Sequence, residues 1–383
     1  KGDIMKLTVI KPKCSTPEKT KRLNQVFSLA FDQAQEQLKN RKEEVSSSDL
    51  PISCEWIETS EAMSAYLSRP KQLQGRKILF VISLGDSGIN LELYGMIKLI
   101  RTHPHCFEES HAGLILDGNS ELYTKSMARE FAASVNAAGC LLIGRPLVEA
   151  TKTLSNYMVT AANLSTDLMG AYLSSMTDLI VRLACFHPVS STYPHLLCLH
   201  SSNAQTSNTY NLWGMVKKNL TDCCSIQEIS LRNGEIVDCA GCPYSMCMHF
   251  SKKSSCYYGG TIVEEVYPAV EACDGLVMLC PNYNDAIGAN LTAFINRLTA
   301  LFRKRQFYDK YLFAIIVSGY SGSDIVAQQL IDSLNMNKTF LLPGHFALME
   351  TANNPGAVQK IEGIETKAKD FAENMKHYLL ATD

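Results

Sequence analysis

The chain has 383 residues, enough for two folded cores, and its 46% hydrophobic and 19% charged residues describe a globular protein without disordered tracts. A formal net charge of −2 leaves no basic footprint for nucleic acid. The 14 cysteines lie mostly within apolar segments of a long chain, which argues against a secreted disulfide scaffold and fits a reducing, anaerobic cytoplasm.

The opening KGDIMKLTVI reads directly into a strand and shows no signal-peptide pattern. A loop of mixed character follows, Cys14-Ser15-Thr16-Pro17-Glu18-Lys19-Thr20. The apolar run Ile78 to Ser83 (ILFVIS) predicts a buried strand, Ser83-Leu84-Gly85-Asp86-Ser87-Gly88 its exit loop, and Asn90 to Ile100 a helix. Ala112 to Asn136 and Leu141 to Thr151 continue the alternation. The most apolar helical stretch, Met158 to Phe186, carries Asp167, Asp178 and Arg182, so it reads as a packing helix and not a membrane span. Prolines and serines then interrupt the pattern at His187 to Pro194 (HPVSSTYP), the expected join between domains 1–188 and 195–383.

In the second half the strand-like runs are His195 to His200 (HLLCLH), Ile229 to Leu231, Leu276 to Cys280 and Tyr311 to Ser318. Continuous apolar runs of this kind suit a parallel sheet covered on both faces. Helical spacing occupies Asn211 to Leu220, Asn290 to Arg303 and Ser323 to Leu334, the last opened by Ser323-Asp324. This is α/β alternation of the doubly wound type. The halves also repeat one another at an offset of about 200 residues. ILFVIS matches LVMLCP (Leu276 to Pro281), NLELYGMIKLI (Asn90 to Ile100) matches NLTAFINRLTA (Asn290 to Ala300), Ala112 to Asn136 matches the stretch from Phe313, and LLIGRPLVEAT matches LLPGHFALMET (Leu341 to Thr351). Four blocks in one order indicate internal duplication.

Two segments of the second half carry chemistry. After HLLCLH comes Ser201-Ser202-Asn203-Ala204-Gln205-Thr206-Ser207-Asn208-Thr209 and then a helix. Small hydroxyl and amide residues at a helix start either wrap a phosphate with hydroxyls, N–H groups and the positive helix end, or form a plain polar turn capped by Thr209. Farther on, Cys239 to Cys256 reads CAGCPYSMCMHFSKKSSC, with spacing Cys239-x2-Cys242-x4-Cys247-x8-Cys256. Thiolates so close can hold an iron–sulfur cluster, hold zinc with His249 as a substitute ligand, or stay as redox-active free thiols. Cys223, Cys224, Cys273 and Cys280 read as core thiols or thiols near the ligand crevice. No hydrolase constellation and no Gly-Lys-Ser/Thr phosphate loop is visible.

With those loops in order, roughly residues 195 to 355 resemble the flavodoxin-like NADPH-dependent FMN reductase and iron–sulfur flavoprotein families. The family phosphate loop, Gly-Ser-Pro-Arg-x-x-Gly-Asn-Thr, matches at Ser202, Asn208 and Thr209 and lacks its Gly, Pro and Arg here. Pro-x-Tyr before a helix ending Phe-Ile-Asp-Arg corresponds to Pro281-Asn282-Tyr283-Asn284 and Phe294-Ile295-Asn296-Arg297. The resemblance implies two tandem flavodoxin-like domains. It implies FMN held by Ser202, Ser207, Asn208 and Thr209 at the phosphate, by Pro281, Asn282, Tyr283 and Asn284 at the ring, and by Ser318, Gly319, Tyr320 and Gly322 in the next loop. It further implies a 4Fe–4S cluster on Cys239, Cys242, Cys247 and Cys256, although the spacing is longer than the family's, and cluster-free FMN reductases also keep a Cys-x-x-Cys there.

The first repeat lacks Pro-x-Tyr and puts Glu18 where phosphate would sit, so it is expected to be a degenerate domain without FMN that covers the other's flavin as an intramolecular pseudo-dimer, with homo-oligomers as a further expectation. The function expected from the resemblance is an oxidoreductase passing electrons from NAD(P)H through FMN to a small acceptor, or singly through the cluster. The alternatives are a ferredoxin-linked electron carrier without nicotinamide activity and a metal-stabilised binding or sensor module that catalyses nothing. No nucleic-acid or membrane partner is expected.

Overall fold

The computed structural model describes residues 6–44, 52–69, 71–232 and 236–381. The chain divides into two compact units, Lys1–His187 and Pro188–Asp383. The first holds β1 (Lys6–Ile10), β2 (Ser53–Ile57), β3 (Lys77–Leu84), β4 (His111–Gly118) and β5 (Leu141–Ala150), all parallel, in the order β2-β1-β3-β4-β5. The second holds β6 (His195–His200), β7 (Ser225–Ser230), β8 (Gly275–Asn282), β9 (Tyr311–Ser318) and β10 (Ala347–Thr351), parallel in the order β7-β6-β8-β9-β10. Both are the flavodoxin-like order 2-1-3-4-5, so the duplication expected from sequence is present as two sheets of one topology. In each, the chain reverses its winding direction between the first and third strands, where such sheets bind ligands at their carboxyl edge.

The central strands form as their composition dictates. Ile78, Leu79, Phe80, Val81 and Ile82 of β3 are each 0% exposed, and β9 is buried along its whole length, because helices cover both faces. The edge strands β2 and β7 are more polar and half exposed. The register sets Ser83 beside Asp117 in the first unit and Asn282 beside Ser318 in the second, so each sheet carries a polar pair at its carboxyl edge.

Several boundaries differ from the sequence reading. The helix expected from Asn211 runs Asn208–Lys217, because the Ser207 hydroxyl accepts the Tyr210 N–H at 3.2 Å and caps it earlier. The helix Ser323–Leu330 passes into a π-helical turn, Ile331–Met336, and its cap is Gly322, in the left-handed region at φ 85°. Met158 to Phe186 is two helices, Met158–Leu164 and Leu168–Ala184. Left-handed Ser165 ends the first, and Asp167 caps the second by accepting the Gly170 N–H at 2.6 Å. Within the cysteine run the chain forms a short helix, Tyr244–Ser251, begun by Pro243, which the surrounding turn formers do not announce. Among the described residues, no helix is long and apolar enough to cross a membrane.

Candidate functional site

Loops leaving β6, β8, β9 and β10 enclose a cavity of about 540 Å³, within the range of about 300–1,000 Å³ typical of small-molecule sites. Of the residues singled out from sequence, Ser207, Asn208, Thr209, Pro281, Asn282, Tyr283, Asn284, Gly319 and Tyr320 line it. Ser202, Ser318 and Gly322 are not in its lining. Ser202 is buried with an Oγ that has no partner among the described residues, and Ser318 is 0% exposed. Asn203, Thr206 and Ser321 of the same loops also line it, and Asp285, Val317, Ala352 and Asn353, which were missed, complete the lining. The last two follow β10, and the carboxyl-edge rule applied to the fifth strand would have found them.

Each wall has a local cause. The Asn208 side chain is fully engaged: Nδ2 donates to the carbonyls of Ala352 (3.0 Å) and Asn354 (2.8 Å), and Oδ1 accepts the Val358 N–H at 3.3 Å. It ties the loop after β6 to the loop after β10, so what this residue has left for an anion is backbone at a helix start. Thr209, the second residue of that helix, is 1% exposed. Asn284 and Asp285 both sit at φ 55°, a left-handed pair closing a tight turn between Tyr283 and Ala286. Asn282 Nδ2 lies 3.0 Å from Ser318 Oγ and 3.0 Å from the Ser321 carbonyl, holding the loops after β8 and β9 together, while its Oδ1 is buried without a partner among the described residues. A Cβ on Gly322 would run into Asp285 and Asn282, so only glycine fits that turn.

Electrostatically the cavity is nearly neutral. Among the described residues its lining has no lysine or arginine, and Asp285 is the one carboxylate. Beneath the first loop His200 is buried, which lowers its pKa, and its Nδ1 faces the Ser202 N–H at 3.3 Å. At the mouth, Tyr283 and Tyr320 are 66% and 84% exposed. Two aromatic rings left open to solvent beside a polar, helix-started loop suit a planar ring system carrying a phosphate. Asn282 belongs to the lining, and its orphaned Oδ1 is a polar atom that such a group can satisfy directly or through water.

Cys239, Cys242, Cys247 and Cys256 all line a second cavity in this unit, about 200 Å³ in volume. Tyr257, Tyr258, Asn296, Arg297 and Arg303 share its walls, and His249 does not. None of the fourteen cysteines, all among the described residues, is in a disulfide. No three of the four Sγ atoms lie within 4.8 Å of one another. A single zinc ion with Zn–S of about 2.3 Å would hold thiolates about 3.8 Å apart, so this arrangement is too wide for one ion as it stands. Cys273 and Cys280 are core residues, and burial pushes each thiol up to about 12. The helix Ala289–Phe302 leads from the loop of Tyr283 and Asn284 to the thiol cavity. At about 1.5 Å rise per residue, Gly288 and Asn296 are about 12 Å apart along it.

At the matching edge of the first unit, charge fills the space. Arg22 is the second residue of the helix after β1, as Thr209 is of the helix after β6. Its Nε and Nη2 reach Asp117 Oδ2 and Oδ1 at 3.0 and 2.8 Å, and further N–H groups reach the carbonyls of Gly118, Thr151 and Lys152. The Tyr172 hydroxyl donates to Asp117 at 3.1 Å. Burial outweighs the guanidinium at Asp117, whose carboxyl stays above its ordinary pKa although it is paired. Glu18, expected to oppose a phosphate here, is exposed.

Residues 194–354 match the model of the NADPH-dependent FMN reductase family. Among solved structures, the NAD(P)H:quinone oxidoreductase from Methanothermobacter marburgensis is 14% identical, with a TM-score of 0.36 over 48% of this chain and 98% of that one. A flavodoxin, WrbA-like protein from Agrobacterium tumefaciens is 14% identical, with a TM-score of 0.32 over 49% of this chain and 99% of that one. An FMN-dependent NADH-azoreductase from Bacillus anthracis, solved with FMN, is 8% identical, with a TM-score of 0.32 over 48% and 99%. No curated protein matches the sequence.

Proposed function

From a second unit that matches the NADPH-dependent FMN reductase family, we propose that the chain is an FMN-dependent oxidoreductase using NAD(P)H, with its flavin in the crevice bounded by Thr209, Tyr283 and Tyr320. The observation that carries this reading is the convergence of the loops after β6, β8 and β9, singled out from sequence, on one cavity of about 540 Å³. FMN held there would supply hydride acceptance from the nicotinamide and delivery of the electrons to a small acceptor or a redox partner. The chain's own groups bind and orient. Thr209 and the free N–H groups at the start of helix Asn208–Lys217 take the phosphate without a cation. Pro281 and the Asn282–Ser318 hydrogen bond fix the strand end, and the exposed rings of Tyr283 and Tyr320 offer faces for stacking.

The thiol cavity supports a finer reading, that Cys239, Cys242, Cys247 and Cys256 hold a 4Fe–4S cluster. Four cysteines lining one cavity match the number of thiolates that such a centre takes. The charged Arg22–Asp117 pair supports a first crevice that takes no flavin. The test is anaerobic purification with flavin, iron and sulfide analysis and an NAD(P)H oxidation assay. Bound FMN with nicotinamide oxidation is expected. A chain that neither retains nor binds FMN would remove the proposal, and flavin without iron or sulfide would remove the cluster alone.

A further inference from the structure

Among the described residues, the thiol cavity is lined by two guanidinium groups and no carboxylate. Arg297 is 3% exposed, and no ion pair joins Arg297 or Arg303 to an acid among the described residues. The exposed carboxylate of Asp238 accepts from the Asn296 amide at 3.0 Å and from the Cys239 N–H at 2.6 Å and pairs with neither guanidinium, and a buried cation without a paired anion is expensive, so an anion is expected in the cavity. The Nε atoms of both residues are buried without a hydrogen-bond partner among the described residues. Arg303 stacks at 4.5 Å over Tyr244, within the cysteine segment, and Arg297 at 5.9 Å over Tyr258, which follows the segment closely. Arg297 does more: Nη1 donates to the Val237 carbonyl at 3.2 Å and Nη2 to the Gly259 carbonyl at 2.6 Å, so it grips the chain just before Cys239 and just after Cys256.

We propose that Arg297 and Arg303 are the counter-charges of an anionic metal–thiolate centre on Cys239, Cys242, Cys247 and Cys256, and that Arg297 also closes the loop that carries the four thiols. The inference rests on the cluster reading above. Four thiolates outweigh the positive charge of an iron–sulfur core, and a reducing electron adds to the excess. Nearby positive charge therefore stabilises the reduced form more than the oxidised form and makes the potential less negative. The two residues divide the work, since Arg303 supplies charge with no side-chain hydrogen bond to the loop among the described residues, whereas Arg297 supplies charge and clamp.

The test compares full-length wild type, Arg303→Gln, Arg303→Lys, Arg297→Lys and Arg297→Met, each reconstituted anaerobically with ferrous iron and sulfide. Iron and sulfide per chain, retention against a chelator, and the midpoint potential from a dithionite titration followed by electron paramagnetic resonance are read. Arg303→Gln is expected to keep its iron with a more negative midpoint, and Arg303→Lys to restore the wild-type value. Arg297→Lys should keep the potential but hold iron roughly tenfold less tightly, and Arg297→Met should lose both. Should Arg297→Met fail to fold, the Arg303 pair still decides. Wild-type potential in Arg303→Gln, with wild-type retention in Arg297→Lys, overturns the inference and leaves the centre standing. A wild type that binds no iron overturns the centre and the inference together.

Discussion

The two carboxyl edges of this chain are built on one topology and opposed in chemistry. In the second unit the positions facing the crevice are hydroxyls, amides, glycines and open aromatic rings, and the crevice is nearly neutral. In the first unit the helix position of Thr209 is taken by Arg22 and the strand position of Ser318 by Asp117, and the two close on each other at 2.8 Å. The difference teaches that a duplicated sheet keeps its fold through apolar strands, while ligand binding is decided by a few residues at strand ends. Residues that satisfy one another leave nothing for a ligand, whereas Asn282 Oδ1, of a crevice-lining residue, has no partner among the described residues.

Breaking the charged pair should have the largest effect. Arg22→Met strands a buried carboxylate, which costs about 3–5 kcal/mol, so one of the thermal transitions should fall well below its wild-type temperature while flavin content is unchanged; an unshifted melt would show that the pair is not what holds that edge. In the other crevice, Thr209→Glu puts a carboxylate where phosphate is expected. Repulsion and burial of roughly 3 kcal/mol should weaken FMN binding by about 100-fold, measured by fluorescence titration with circular dichroism as the folding check. Undiminished affinity would move the phosphate elsewhere.

Acid should also separate the units. Burial, with Lys77 and His187 adding to it, holds the His111 imidazole down at about 4 from an ordinary value of 6.5. A depressed histidine contributes stability that is complete above 6.5 and is lost as the pH falls toward 4, because the unfolded chain takes up the proton first. Between those limits the first unit should lose roughly 2 kcal/mol, and His111→Gln should flatten that dependence in calorimetry. A wild-type slope retained by the variant would assign the effect to another group. The smallest effect is expected at the mouth of the open crevice: Tyr320→Ala should weaken FMN about fivefold, from about 1 kcal/mol of lost stacking. No change would mean that the ring lies elsewhere.

Much of this was legible in sequence because buried parallel strands are written as apolar runs. ILFVIS and YLFAIIVS name their strands almost to the residue, and the repeat follows from their order. The crevice loops were legible for the same reason, since each follows such a strand. Long-range pairings were not. Arg22 meets Asp117 across 95 residues, and the Asn208 amide holds carbonyls 144 and 146 residues away, so neither clamp leaves a local pattern. Met158 to Phe186 read as one helix because apolar content hides the break, which Ser165 makes by turning left-handed and Asp167 makes by capping. The guanidiniums beside the thiols were hidden likewise: Arg297 was read as the end of a helix motif, and its partners lie 60 and 38 residues away.

The account turns on one crevice open to flavin and one closed by its own charges. The most direct measurement is the number of FMN molecules bound per full-length chain at saturation, in wild type, Thr209→Glu and Arg22→Met. One per chain in the wild type and Arg22→Met, with about 100-fold weaker binding in Thr209→Glu, is expected. No binding, two per chain in the wild type, or binding indifferent to Thr209→Glu would contradict it.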